Sequence, residues 1–361
     1  MKITRVDVQL APIPAQPRYR WRDGLPGAEP ALTGAWLQLE TDSGHVGLAP
    51  CNRGLIFKDL VDRRWRSELL GRDPLEREYF WHRMWELDRI ESLPVYTQGV
   101  VDLALWDLAG KAAGMPVWQL MGGSARRVSA YASTVTFDTT AEFLEVADQC
   151  LALGYPAIKL HAWGDARRDA QLCLDLRSHV GADVPLMYDG SAGFDLPDAL
   201  YLGRALEEAG YLWYEEPMRE FSIHAYKRLG QELSIPLLVA EVAGGAHWTV
   251  ADWIDSGCAT YVRTSTNFKA GFTGALRVAH LAESYHLRAE VHGGSLEHAH
   301  LCMALGNNSY YESLVRTNPA VRESRVDSSG LIAVPSQPGI GYEAEWDGGV
   351  APWERSLERA G

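Results

Sequence analysis

The chain has 361 residues, 47% hydrophobic and 22% charged, an ordinary globular make-up with apolar material for one large domain or two unequal ones. A net charge of −13 and a pI near 5.3 argue against a nucleic-acid backbone or an anionic membrane as partner. The five cysteines (Cys51, Cys150, Cys173, Cys258 and Cys302) are scattered without a C-x-x-C pair, and no apolar run is long enough to span a membrane. We therefore expect no disulfide framework, structural zinc site, signal peptide or membrane segment, and a reducing cytoplasm as location.

Residues 1–125 read as an α+β unit. Ile3 to Leu10 and Ala35 to Glu40 alternate like strands. Between them lies a polar loop, Ala15 to Pro30, which carries the dense basic run Arg18-Tyr19-Arg20-Trp21-Arg22. Thr41-Asp42-Ser43-Gly44 is a hairpin turn leading to Val46-Gly47-Leu48. Helical periodicity follows over Lys58 to Leu70, Leu75 to Asp88 and Thr97 to Gly114.

From Val128 the pattern becomes strand then helix, repeatedly. Strands are expected at Val128–Ser133, Ala157–Trp163, Leu186–Gly190, Leu212–Pro217, Leu237–Glu241, Tyr261–Thr266, Arg288–Gly293 and Tyr310–Val315. Helical patterns separate them, among them Ala141–Leu153, Asp165–Val180 and Phe272–Tyr285. Alternation of this kind implies parallel pairing and a closed (β/α) barrel, with active residues at the C-terminal strand ends. The segment from about Arg322 onward, including Gly330 to Val334 and Pro338 to Gly341, reads as a return that packs on the N-terminal unit.

Three carboxylates close three successive apolar runs at one equal interval: Asp189 after Pro185–Tyr188, Glu215 after Tyr211–Tyr214, and Glu241 after Pro236–Ala240. Acids at the tips of buried strands make a poor core and a good seat for a hard divalent cation. Oxygen ligands of this number suit Mg²⁺ over zinc, which recruits His or Cys. Side-chain alternation puts Lys159 and His161 on one inward face, and Glu290 and His292 on another, with Glu312 at the rim. Arg263 points inward as well, and we expect it to form a buried ion pair with Glu290. Glu297-His298-Ala299-His300 resembles a metal motif, but residues two apart on a helix diverge, so a surface or packing feature is expected there. Gly339-Ile340-Gly341 follows no strand and is not a dinucleotide fingerprint.

Taken together, Lys159-x-His161, Tyr188-Asp189, Glu215-Glu216-Pro217, Ala240-Glu241, Ala270-Gly271-Phe272-Thr273-Gly274, His292 and Glu312 resemble the mandelate racemase branch of the enolase superfamily, over essentially the whole chain. The resemblance implies an α/β fold, a modified TIM barrel of (β/α)7β type. It implies an N-terminal α+β capping domain over residues 1–125, a barrel over 126–320 and a C-terminal return over 321–361 that completes the cap. It also implies a small carboxylate substrate, Mg²⁺ held by Asp189, Glu215 and Glu241, and assembly into a homo-oligomer.

The chemistry so implied is abstraction of the proton α to a carboxylate, giving a metal-stabilised enediolate. His161 is the expected base, with Lys159 beside it to keep it neutral. Glu312 is expected to hydrogen-bond the substrate carboxylate. The strand-seven histidine of that branch is partnered by an aspartate at the end of strand six, and here that position is Ser265. Without an orienting carboxylate, His292 suits proton donation better than carbon deprotonation. This tilts the expectation to a lyase, an acid-sugar dehydratase acting on an aldonate or aldarate to give a 2-keto-3-deoxy acid. The alternatives are a racemase, epimerase or cycloisomerase through the same enolate, and, further off, a non-catalytic metal-binding barrel. Arg18, Tyr19, Arg20, Trp21, Asn52 and Arg53, together with Ser265, are the expected substrate-binding residues.

Overall fold

The computed structural model describes every residue except 14, 16, 28–30, 93, 94 and 343–361. Parts of the Ala15–Pro30 loop and the end of the expected C-terminal return thus lie outside the described residues.

Alternating burial makes β1 (Ile3–Ile13), β2 (Leu32–Thr41) and β3 (Val46–Cys51) an antiparallel sheet in the order β1-β2-β3. The expected first helix starts earlier, as α1 (Gly54–Leu60), and passes through a π-helical stretch, Val61–Trp65, into α2 (Arg66–Leu69). Then come α3 (Arg77–Glu91), α4 (Val95–Ala113) and the short α5 (Val117–Leu120). Residues 97–110 of α4 are all buried, because the helix is sandwiched between the β-sheet and the barrel.

Eight strands build the barrel: β4 (Ser129–Thr134), β5 (Ile158–His161), β6 (Leu186–Asp189), β7 (Tyr214–Glu215), β8 (Leu237–Val239), β9 (Tyr261–Thr264), β10 (Arg288–Val291) and β11 (Tyr310–Val315). All paired neighbours are parallel, and β11 returns to pair with β4. Seven helices connect them: α6 (Thr140–Ala152), α7 (Ala166–Val180), α8 (Leu196–Glu208), α9 (Ile223–Glu232), α10 (His247–Asp255), α11 (Gly271–Ser284) and α12 (Leu296–Ala304). The fold is a (β/α)7β barrel with an N-terminal α+β cap.

Several barrel strands end one or two residues sooner than expected. Glu216 and Ala240 adopt left-handed φ angles of 40° and 67°, which break the ladder and turn the strand tips over the barrel mouth. Tyr131, Ala157, Met187, Trp213 and Leu238 form a buried layer beneath those tips.

After β11 the chain runs under the barrel, where Ala130 N donates to Gly330 O (2.8 Å) and Ile332 N to Val128 O (3.0 Å). It then reaches the N-terminal unit, where Trp118 Nε1 donates to Pro335 O (2.7 Å) and Ile340 N to Asp107 Oδ1 (2.7 Å). All five cysteines are free and buried. Among the described residues no helix is long and apolar enough to cross a membrane.

Candidate active site

Lys159 sits at the centre of the barrel mouth. Its Nζ, fully buried, lies 3.1 Å from Asp189 Oδ2, 2.9 Å from Glu215 Oε2 and 2.8 Å from Glu312 Oε1. Burial disfavours its charge, but Glu215 and Glu312 outweigh that and hold its pKa well above the usual value. Arg263 reaches across the barrel to Glu215, donating from both Nε and Nη2. Its remaining donors go to Val291 O (3.0 Å) and Tyr131 Oη (2.9 Å).

The expected Arg263–Glu290 ion pair therefore does not form. Arg263 is drawn to the level of Glu215, Glu241 and Glu312, where the negative charge is concentrated. Glu290 Oε2 instead accepts from Asn308 Nδ2 (3.2 Å) and the amides of Ser309 (3.2 Å) and Tyr310 (3.4 Å).

Asp189, Glu215, Glu241 and Glu312 thus outnumber the two fixed cations that face them, Lys159 and Arg263. Ligand atoms of Glu215, Glu241 and His292 all lie within 4.8 Å of one another, and Glu241 Oε2 is buried without a hydrogen bond. The third expected ligand, Asp189, is held on the other side by Lys159 and His161. An oxygen-rich set with an orphaned buried carboxylate oxygen fits Mg²⁺.

The two histidines flank these acids with unequal support. His161 Nδ1 lies 2.8 Å from Thr134 O. A carbonyl only accepts, so Nδ1 carries the hydrogen and Nε2 is the proton-exchanging atom, 3.0 Å from Asp189 Oδ2. The Trp21 ring covers this imidazole, centroid to centroid 4.5 Å. His292 Nδ1 is 3.0 Å from Glu241 Oε2 and 3.5 Å from Glu312 Oε2, near enough for ion pairing but off the line of a hydrogen bond. Burial lowers its pKa, yet Glu241 and Glu312 raise it further, so the net shift is upward.

Ser265 does not stand in for an orienting acid. Its Oγ accepts from the Phe268 amide (3.1 Å) and closes the turn after β9, while the Phe268 ring lies 5.4 Å from the His292 ring. Glu312 is held well below the usual range: burial opposes ionisation, but Lys159 and Arg263 prevail. It accepts from the Gly293 amide (2.6 Å), so in this form it has no proton to donate to a substrate carboxylate.

Of these groups Asp189, Glu241, Glu312 and both histidines line a cavity of about 380 Å³. Of the expected loop residues only Trp21 reaches it. Arg18, Tyr19 and Arg20 line a separate groove with Phe137 and Arg316. Arg20 is taken up there by Asp23 (2.7 Å) and Asp138 (2.8 Å). Asn52 and Arg53, in the turn after β3, are not on the cavity wall. Sequence reasoning passed over Glu216, Arg219, Phe221 and Phe268, which do line it. Their signal was position alone, in the loops directly after β7 and β9. His298 and His300 are packing residues, but buried rather than on the surface. The first bonds Thr266 Oγ1 and Gly293 O, the second the Trp118 amide and Ile340 O, and burial lowers both to about 4.

Comparison with known proteins gives a consistent picture. Residues 32–122 match the N-terminal domain of the mandelate racemase / muconate lactonizing enzyme family, and residues 142–348 the enolase C-terminal domain-like family. An arabinonate dehydratase of Saccharolobus solfataricus is 26% identical, covering 84% of this chain and 86% of that protein. A 3,6-anhydro-alpha-L-galactonate cycloisomerase of Streptomyces coelicolor is 27% identical over 95% of this chain and 96% of its own. The crystal structure of a D-glucarate dehydratase from Agrobacterium tumefaciens, complexed with magnesium, superposes with a TM-score of 0.88 at 33% identity, covering 94% of this chain and 96% of that one.

Proposed function

The chain belongs to the mandelate racemase / muconate lactonizing enzyme family of the enolase superfamily, and on that premise we propose that it is a Mg²⁺-dependent lyase dehydrating an acid sugar. Asp189, Glu215 and Glu241 would hold the cation, with the His292 ring at the edge of the same cluster. Bound there, it supplies fixed positive charge against the second negative charge that develops on the substrate carboxylate as the α-proton leaves.

The protein's own groups do the rest. His161 Nε2 accepts the α-proton, its tautomer held by the Nδ1–H bond to Thr134 O. Lys159 and Arg263 hold Glu312 ionised. Glu312 positions Lys159 and the Gly293 amide. The C–H electron pair moves into the carboxylate, the β C–O bond breaks, and His292 donates the proton that turns the departing hydroxide into water. The enol product tautomerises to a 2-keto-3-deoxy acid. Trp21 shields His161 from solvent.

The observation that carries this reading is the inequality of the two histidines. His161 has a dedicated carbonyl partner, whereas His292 has Ser265 where an orienting acid would stand and faces Glu241 and Glu312 instead. Elimination needs one acceptor and one donor, while racemisation needs two equivalent acceptors. A second reading, cycloisomerisation through the same enolate, draws on the likeness to the S. coelicolor cycloisomerase.

The test is a panel of aldonates and aldarates with Mg²⁺ in D2O. Formation of 2-keto acid is expected. Deuterium wash-in at the α-carbon without loss of water would replace the dehydratase by a racemase or isomerase, and absence of both would remove the enolate chemistry. We also propose the units 1–125, 126–320 and 321–361, with the third completing the first, a homo-oligomeric assembly, and work in a reducing cytoplasm, in keeping with the free cysteines.

A further inference from the structure

Glu241 stands just past the tip of β8, in a stretch that belongs to no helix or strand: β8 ends at Val239 and α10 begins at His247. Ala240 bends the backbone there through a left-handed φ of 67°. Buried backbone groups that leave the sheet ladder need other partners. Two charged side chains supply them, one from the loop on either side.

Glu220, in the loop after β7, is buried. Its Oε1 accepts from the amides of Ala240 and Glu241 (the second at 3.1 Å), and its Oε2 from those of Val242 (2.9 Å) and Ala243 (3.1 Å). Successive amides closing on one anion form a nest. A carboxylate offers about four lone-pair sites, so Glu220 has none left for a substrate although it lines the cavity. Lys269, in the loop after β9, is fully buried. Its Nζ donates to Ala240 O (2.6 Å) and Ala243 O (2.9 Å), the carbonyls at the two ends of the same segment. Its main chain rests against α11, where a Cβ on Gly274 would meet Lys269 O at 1.5 Å.

The three expected ligands differ in what aims them. Asp189 is held through its own oxygens, by the Ser191 amide (2.9 Å) and Lys159 (3.1 Å), and Glu215 by Lys159 (2.9 Å) and Arg263 (2.8 Å). Glu241 Oε2 is buried without a hydrogen bond, so its direction is set from the backbone. We propose that Glu220 and Lys269 are positioning residues for the cation site: together they lock residues 240–243 and so aim the Glu241 carboxylate at the ion. This rests on Glu241 holding Mg²⁺, as in the function proposed above, and deepens that reading. Both residues act through the backbone, and neither supplies a ligand atom.

The experiment measures Mg²⁺ affinity by calorimetry on wild-type protein, E220Q, K269M and E241Q, each first stripped with a chelator. The unfolding temperature of each metal-free protein is recorded beside it. E220Q keeps the size of the side chain but turns an NH2 group towards donor amides, and K269M keeps the stem and removes the donors. Each is expected to weaken Mg²⁺ binding by about ten- to a hundredfold, the usual effect of losing a group that orients a ligand. A purely structural role would lower the unfolding temperature of the metal-free protein and leave Kd where it was.

A Kd unchanged from wild type in a folded variant overturns the role of that residue. Failure to fold overturns it too, because the side chain then supports the fold as a whole. The reading beneath fails separately: no Mg²⁺ binding by wild-type protein, or binding by E241Q as tight as by wild type, removes the ion from Glu241 and leaves the clamp nothing to aim.

Discussion

His161 meets Asp189, whereas His292 meets Glu241 and Glu312, and under the proposed function these different neighbours give them different work. His161→Asn should lower dehydration by at least about 10²-fold and abolish deuterium exchange at the α-carbon, since it removes the proton acceptor. His292→Asn should also stop water loss but leave exchange measurable, because deprotonation does not pass through it. Loss of exchange in both variants would make the two histidines equivalent and remove the asymmetry. At this scale the sequence was legible where alternation decides direction: Lys159, His161, Asp189, Glu215, Arg263 and His292 all face the barrel axis as parity requires. It was not legible where a long side chain selects among several charges. Arg263 prefers Glu215 to Glu290 because three acids share that level of the barrel. Arg20 leaves the cavity because Asp23 and Asp138 lie in reach of its guanidinium, and neither neighbour can be foreseen from a loop.

The elements are joined at one point that bears directly on the site. Asp102, in α4, accepts from Thr273 Oγ1 (2.6 Å) and the Thr273 amide (3.0 Å), and Trp106 Nε1 donates to the same hydroxyl (3.0 Å). The Gly271–Gly274 turn at the head of α11 thus docks the cap onto the barrel. Burial pushes the Asp102 carboxyl up to about 7, against the pull of the Thr273 hydroxyl and amide. Its folded pKa then exceeds the unfolded value of about 3.9, so the folded state holds the proton more tightly. The resulting stabilisation is full below about pH 4, declines as pH rises, and is exhausted above about 7. Asp102→Asn should flatten that decline of unfolding free energy between pH 4 and 7, on the order of a few kcal/mol, in urea titrations. An unchanged slope would place the proton elsewhere.

Gly99 is a close backbone approach in the same joint: a Cβ there would meet Gly271 N at 2.8 Å. Gly99→Ala should destabilise by roughly 1–3 kcal/mol in the same titration, as overpacking does. Periodicity revealed α4 as a helix, but only the tertiary packing shows why it is apolar on every side. The strand runs were likewise legible, while their ends depended on left-handed turns at Glu216 and Ala240 that no residue-type preference announces.

Across the molecule, the acid-rich mouth is built to be unstable in isolation. The excess of buried acids over the fixed cations facing them opposes folding until a divalent cation joins them. Mg²⁺ should therefore raise Tm, by an amount equivalent to about 2.7 kcal/mol at a hundred times its Kd, and a chelator should reverse the gain. Glu241→Gln should lose most of this response while remaining folded. A response of the same size in that variant would move the ion away from Glu241.

The loop between β1 and β2 is stitched to the barrel by the bonds Thr136 N to Arg20 O (2.9 Å) and Asp23 N to Trp163 O (3.0 Å). Side chains add to the stitching, with Arg20 Nη2 donating to Asp138 Oδ1 (2.8 Å) and Arg22 Nε to Ser191 O (2.9 Å). Of the expected loop residues Trp21 alone reaches the cavity, so a change of that one codon would reshape one wall while the acids and histidines, encoded far downstream, stay as they are.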